Sequence, residues 1–259
     1  MNLIPYNPVT SPYELIIGLL SIFPLVFLRG KDTFIYFEIA ALVAIGIHGV
    51  YLFGTPILYL LLLTYIVSTI AEVVSLKTSI RCFGVAYRYH HNSMYFPSKI
   101  WLFGVYPIEV TFAWVIFKYL SFCLAMLILE AFRIPHIVGV FLTPLILVSV
   151  DLILDPVSVN INNMWEWGKK GRYFGIPVQN FIGWYMVGLV PSLLWYVFPS
   201  TKEVSFSVLY LLPIIFYGFF STKSLLLYRL NKPMAILGSL PVIVWTLLGT
   251  VSLGMLLFR

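Results

Sequence analysis

Asp151 and Asp155 stand at the end of the apolar run VGVFLTPLILVSV, in a chain that has only ten acidic residues. Their i, i+4 spacing puts both carboxylates on one helix face. Repulsion between them and a low local dielectric would leave at least one holding its proton, and a carboxylic acid that is protonated near neutral pH is a proton donor. Trp165, Trp167, Tyr173, Phe174 and Trp184 follow in the same stretch. Aromatic faces stabilise a cation within about 6 Å, so acid and aromatics together suit chemistry that makes a cation by protonation. The same aromatics would equally form an interfacial belt. Pro156 cannot continue a hydrogen-bonded helix interior, so a turn is expected there, followed by a hairpin-like Gly168-Lys169-Lys170-Gly171.

The elements that hold these residues are set by composition. Of 259 residues, 61% are hydrophobic and 10% charged, which excludes a soluble globule and points to a polytopic membrane protein. Runs able or nearly able to cross about 30 Å of hydrocarbon occur at 13–28, 34–53, 56–76, 104–130, 134–157, 181–198, 204–221 and 234–258. The expected fold is all-α, a bundle of about eight helices in a single integral-membrane domain, 1–259. Seven crossings plus one re-entrant piece is the alternative. The first run lacks a basic leader and a small-residue cleavage site, and is read as retained. Cys82 and Cys123 do not indicate a redox compartment. The net charge of +6 reflects loop topology, with no clustered basic face for nucleic acid.

Lys and Arg near helix ends stay on the cytoplasmic side. The connections 29–33, 77–103, 158–180 and 222–233 carry twelve of them, and the remaining ends only Arg133, Lys202 and Arg259. These four connections are therefore expected in the cytoplasm, with both termini outside and the protein in the cell membrane. Glu38, Glu72, Glu109, Asp151 and Asp155 then fall in the same cytoplasmic half of the bilayer. An ionisable group at membrane depth is a functional candidate by default, and five on one level imply a polar pocket open toward the cytoplasm. Single acids near helix ends also snorkel or cap neighbours, and Glu38 and Glu109 fit that role as well. Lys118, in mid-helix, fits least; an acid such as Glu38 is its expected partner, a conduit the alternative.

Asp151-x3-Asp155-Pro156-Val157, then Trp165-x-Trp167, then Tyr173-Phe174-Gly175-Ile176-Pro177-x2-Asn180-Phe181-x-Gly183-Trp184 resembles the signature of the integral-membrane carotenoid biosynthesis family. Its known members are carotenoid 1,2-hydratases, including the bisanhydrobacterioruberin hydratase type. A looser match runs from Glu72 through Phe83-Gly84-x2-Tyr87-x-Tyr89 to Pro107 and Trp114, so the resemblance covers roughly 70–190. Val73, Val74 and Cys82 depart from the pattern. Pro107-Ile108-Glu109 is similar to the Pro-x-Glu-Glu element of small lycopene cyclases, with Val110 replacing the second acid.

The resemblance implies an acyclic carotenoid substrate, lycopene-like or longer, taken from the lipid bilayer, with other enzymes of that pathway as candidate partners. Hydration of its terminal double bond needs protonation to a tertiary carbocation and capture by water, with no metal or redox cofactor. Asp151 or Asp155 would be the acid, the other aspartate or Glu72 the general base, with Glu109 a further candidate. Asn180 would orient the water or a carboxyl. Trp165, Trp167, Tyr173, Phe174, Trp184, Tyr87, Tyr89 and Trp114 would line the substrate site. Cyclisation by the same acid is the nearest rival. Di-iron desaturases need more histidines than His48, His90, His91 and His136, and prenyltransferases need paired Asp-rich motifs. A transporter or proton channel would also bury carboxylates, but its polar residues usually lie near the midplane across repeats, and none repeats here.

Overall fold

The computed structural model describes residues 34–197 and 207–258, together with Gly18. The expected helix 13–28, apart from Gly18, and the basic residues Arg29, Lys31, Lys202 and Arg259 lie outside the described residues. Helix α1 (Phe34–Phe53) is followed by α2 (Ile57–Lys77), a connection with strands β1 (Tyr87–Tyr89), β2 (Trp101–Leu102) and β3 (Tyr106–Pro107), and α3 (Ile108–Ala131). Then come α4 (Gly139–Asn160), β4 (Trp165–Trp167), α5 (Val178–Val197), α6 (Leu211–Ser221) and α7 (Tyr228–Leu257). Five helical runs are long and apolar enough to cross a membrane, the last being 208–257, which contains α6 and α7. Helix α7 begins before the expected 234 and changes direction at Asn231, whose φ of −160° is extended.

Helix α3 is the hub. It packs against α1, α2, α4, α6 and α7, and 78% of its apolar span is buried, against 33% for α2. The peripheral α2 shows the inside-out polarity that lipid selects. Leu58, Leu62, Ile66 and Ile70 recur every fourth residue on its exposed side, while Thr64, Ser68, Glu72 and Ser75 face the bundle. That inner stripe, spaced at helical period, is what turns Glu72 inward.

The connections after α2 and α4 meet at one end of the bundle, because β1 pairs antiparallel with β4. Two further tight turns shape this end. Phe103-Gly104 and Phe174-Gly175 each place two consecutive residues at positive φ, at 52° and 78° and at 50° and 82°, as a type I′ turn demands. In the second, Ile176 N–H donates to Tyr173 O at 2.7 Å. The hairpin after β4 therefore centres on Phe174-Gly175 rather than on Gly168-Lys169-Lys170-Gly171.

Pro156 does not end its helix. Helix α4 runs through it to Asn160, contrary to the expected turn. A proline in a helix deprives the carbonyl four residues earlier of its donor, here that of Leu152, and Tyr173 Oη–H supplies the missing bond at 2.6 Å. Asn160 Nδ2 donates to Pro156 O at 2.9 Å and to Phe174 O at 3.0 Å, tying the same turn to the helix end. Gly238 of α7 makes room for this contact, since a Cβ there would lie 1.9 Å from the Tyr173 hydroxyl. Tyr173→Phe should destabilise the protein by about 1–3 kcal/mol, the range for a buried carbonyl left unpaired. Adding Pro156→Ala returns an N–H to Leu152 O, so the double variant should melt above Tyr173→Phe alone in detergent; purely additive losses would contradict the exchange.

Candidate functional site

The site begins with alternation in two short strands. Tyr87-Arg88-Tyr89 and Trp165-Glu166-Trp167 pair in the register Tyr87 to Trp167, Arg88 to Glu166 and Tyr89 to Trp165. Successive side chains of a strand point to opposite faces, so the four aromatics share one face, with ring centroids 5.0 Å apart for Tyr87 and Trp167 and 5.6 Å for Tyr89 and Trp165. Arg88 and Glu166 form an ion pair on the other.

Glu72 of α2 receives three donors. Tyr87 Oη–H donates to its Oε2 at 2.5 Å and Tyr89 Oη–H to the same oxygen at 3.1 Å, while Trp114 Nε1–H of α3 donates to Oε1 at 3.2 Å. Burial first, and the neighbouring Glu72 charge second, push both phenols well above their ordinary range. They remain neutral donors. Trp114 in turn stacks on Trp184 of α5, with centroids 3.9 Å apart and planes at 20°.

The aspartates are joined by one amide. Asn180 lies in the first turn of α5, its backbone N–H bonded to Pro177 O at 3.0 Å. Its side-chain nitrogen donates to Asp151 Oδ2 at 2.7 Å and to Asp155 Oδ2 at 2.8 Å, which uses both of its hydrogens. Trp165 lines the same cavity as Asp155. Asp151 Oδ1 has no partner among the described residues.

These groups border a cavity of about 560 Å³, within the usual range of small-molecule sites. Its polar points include Glu38, Glu72, Glu109, Asp155 and Asn180, with Ser158, Asn162 and Lys223 also on the lining. Its aromatic wall includes Tyr87, Tyr89, Trp114, Trp165, Trp167 and Trp184. Of the five acids expected on one level, four line the cavity and Asp151 sits behind Asp155, linked through Asn180. Tyr173 and Phe174 stand off the wall: Tyr173 serves Leu152 O, and Phe174 packs against the main core. Glu109 Oε1 accepts from Ser98 N–H at 3.0 Å, fastening the loop before β2 to the start of α3.

Three contacts were not foreseen. Helix α6 contributes Phe216, Phe219 and Phe220 to the cavity, and their i, i+3, i+4 spacing in FYGFF is the signal that marks one face. Lys118 does not pair with Glu38; fully buried, it donates to Gly188 O at 2.6 Å and to Ser192 Oγ at 2.5 Å on α5. His90 and His91 each take a separate partner. His90 Nδ1 lies 3.1 Å from Asn163 O, and His91 stacks on Trp101 at 3.8 Å.

A family model described as carotenoid biosynthesis protein matches residues 33–249. The chain belongs to that family. The match includes every wall residue named above and all of α1 to α6, well beyond the segment from Glu72 to Trp184. No curated protein and no solved structure matches the chain. Membership gives the protein a role in carotenoid biosynthesis, and its apolar helices suit a substrate dissolved in the bilayer.

Asn180 can be tested apart from any activity. Asn180→Leu keeps the volume but removes the donors from both aspartates, and should lower stability by about 1–3 kcal/mol. Thermal unfolding in detergent measures it; an unchanged Tm would mean that the carboxyls do not depend on the amide.

Proposed function

We propose that this protein is a carotenoid hydratase that adds water across the terminal double bond of an acyclic carotenoid end. The observation that carries the reading is the Asn180 amide holding Asp151 and Asp155 together on the border of an aromatic cavity. Of the two aspartates, Asp155 faces the cavity and is the proton donor; Asp151, behind it, shares the load of a second buried carboxyl. The alkene π pair takes the Asp155 proton onto the less substituted carbon, forming a C–H bond and leaving a tertiary cation on the other. Trp165, Trp167 and Trp184 present π faces to that cation, and Glu72 lines the same cavity as a further carboxyl. Water then forms the C–O bond and gives up a proton to a carboxylate bordering the cavity.

The aromatic wall suits this sequence because its π faces attract a cation more strongly than the neutral alkene that precedes it. Glu109 on the wall keeps a second reading in view: a cation attacked by a neighbouring double bond instead of water closes a ring, as the Pro107-Ile108-Glu109 resemblance suggests.

Expression in a bacterial host that accumulates lycopene, followed by chromatography with mass detection, separates the readings. A product heavier by one water is expected, whereas an isomer of unchanged mass with shifted retention would make the protein a cyclase. Asp155→Asn should reduce turnover at least about 100-fold, the contribution typical of a positioned acid, with the protein still present in the membrane. Full turnover in that variant would remove Asp155 from the mechanism.

A further inference from the structure

Two carboxyls on the cavity wall have no part in that scheme. Glu38 of α1 and Glu109 of α3 are 2% and 1% exposed, and both border the cavity. They stand near the starts of α1 and α3, two helices that pack against each other. Oε2 of each has no hydrogen-bond partner among the described residues. Glu72 is different: a carboxylate offers about four acceptor positions, and Tyr87, Tyr89 and Trp114 occupy three of them. Its capacity to hold a water is nearly used up. A buried carboxyl oxygen without a donor is unfavourable, and ordered water is what such positions recruit when several polar groups converge. Ser98 N–H fixes the other oxygen of Glu109, so that carboxyl is held in one direction.

We infer that Glu38 and Glu109 hold the water molecule that captures the carbocation. The inference rests on the hydratase reading and adds to it a site for the second reactant. The water donates one hydrogen to each Oε2, which leaves its oxygen lone pairs for the cation. As the C–O bond forms, the proton lost by the water passes to one carboxylate of the pair. That proton returns through the cavity to the aspartates, replacing the one that Asp155 gave to carbon. Each turnover consumes one water and no net proton.

The pair thereby sets the product. A cation formed with no water held in place loses a proton to give an isomerised alkene or closes a ring, while one formed beside Glu38 and Glu109 is hydrated. The glutamates govern the second half of the reaction and Asp155 the first.

The test separates the two halves. Purified wild type, Glu38→Gln and Glu109→Gln are reconstituted in proteoliposomes with lycopene in D2O, and deuterium content and mass of the pigment are read together. Wild type should yield deuterated, hydrated product. Each variant should still place deuterium on the carotenoid, with the ratio of hydrated to merely deuterated pigment lowered at least about 10-fold, the low end of what a positioned base supplies being larger still. An unchanged ratio overturns the inference, and that is also what a purely structural role would give, because it slows both halves in parallel. Should neither variant fold, a high-resolution map of the wild type decides: a water bridging the two carboxyls is expected, and a dry contact overturns the assignment. Wild type that neither deuterates nor hydrates lycopene counts against the hydratase reading, and the map then tests the glutamate pair on its own.

Discussion

A carboxyl group buried among membrane helices must be met by donors, because neither lipid nor an apolar neighbour provides any. In this protein nearly all of those donors are brought in from outside the helices that carry the acids. Glu72 depends on Tyr87 and Tyr89, Glu109 on the backbone of Ser98, and the aspartates on an asparagine at the start of α5. The connections at this end of the bundle therefore fold inward. The pairing of β1 with β4 is the outcome: it places two tyrosines over Glu72 and sets Trp165 and Trp167 beside them on the same face, with Arg88 and Glu166 turned away.

Much of this is legible in the chain, and for reasons that can be named. The spacing of Asp151 and Asp155 sets their common face, and the four-residue stripe of Thr64, Ser68 and Glu72 orients α2. Which residues share a helix face can be read from spacing alone. The pairing of distant strands cannot, since aromatic-charged-aromatic triplets at 87–89 and 165–167 are each too short to declare a partner, and only together do they match in polarity. Pro156 misleads because its effect is weighed against the helix backbone alone, whereas the hydroxyl that repairs the helix comes from residue 173. Lys118 misleads for a related reason: a charge is expected to seek a charge, and the acceptors it finds are a carbonyl and a hydroxyl on α5.

Lys118 also shows how differently the two halves of α3 are used. Near its start, Glu109 and Trp114 face the cavity; one turn beyond Trp114, the amine clasps α5 at Gly188 and Ser192. Both halves thus hold α5 in place, the first by the stack of Trp114 on Trp184 and the second by hydrogen bonds. Asn180 stands on that same helix, so the geometry of the aspartate bridge is set by how α5 is seated on the hub.

Pro156, Tyr173 and Gly238 belong to a helix, a turn and a second helix, yet they occupy one contact: the proline frees a carbonyl, the tyrosine takes it, and the glycine leaves the tyrosine room. A descendant that loses the proline no longer needs the hydroxyl, and one that loses the hydroxyl no longer needs the glycine. Changes at these three positions should consequently be correlated across lineages, with the order of loss running from proline to glycine, although the residues are separated by as many as eighty-two positions in the chain.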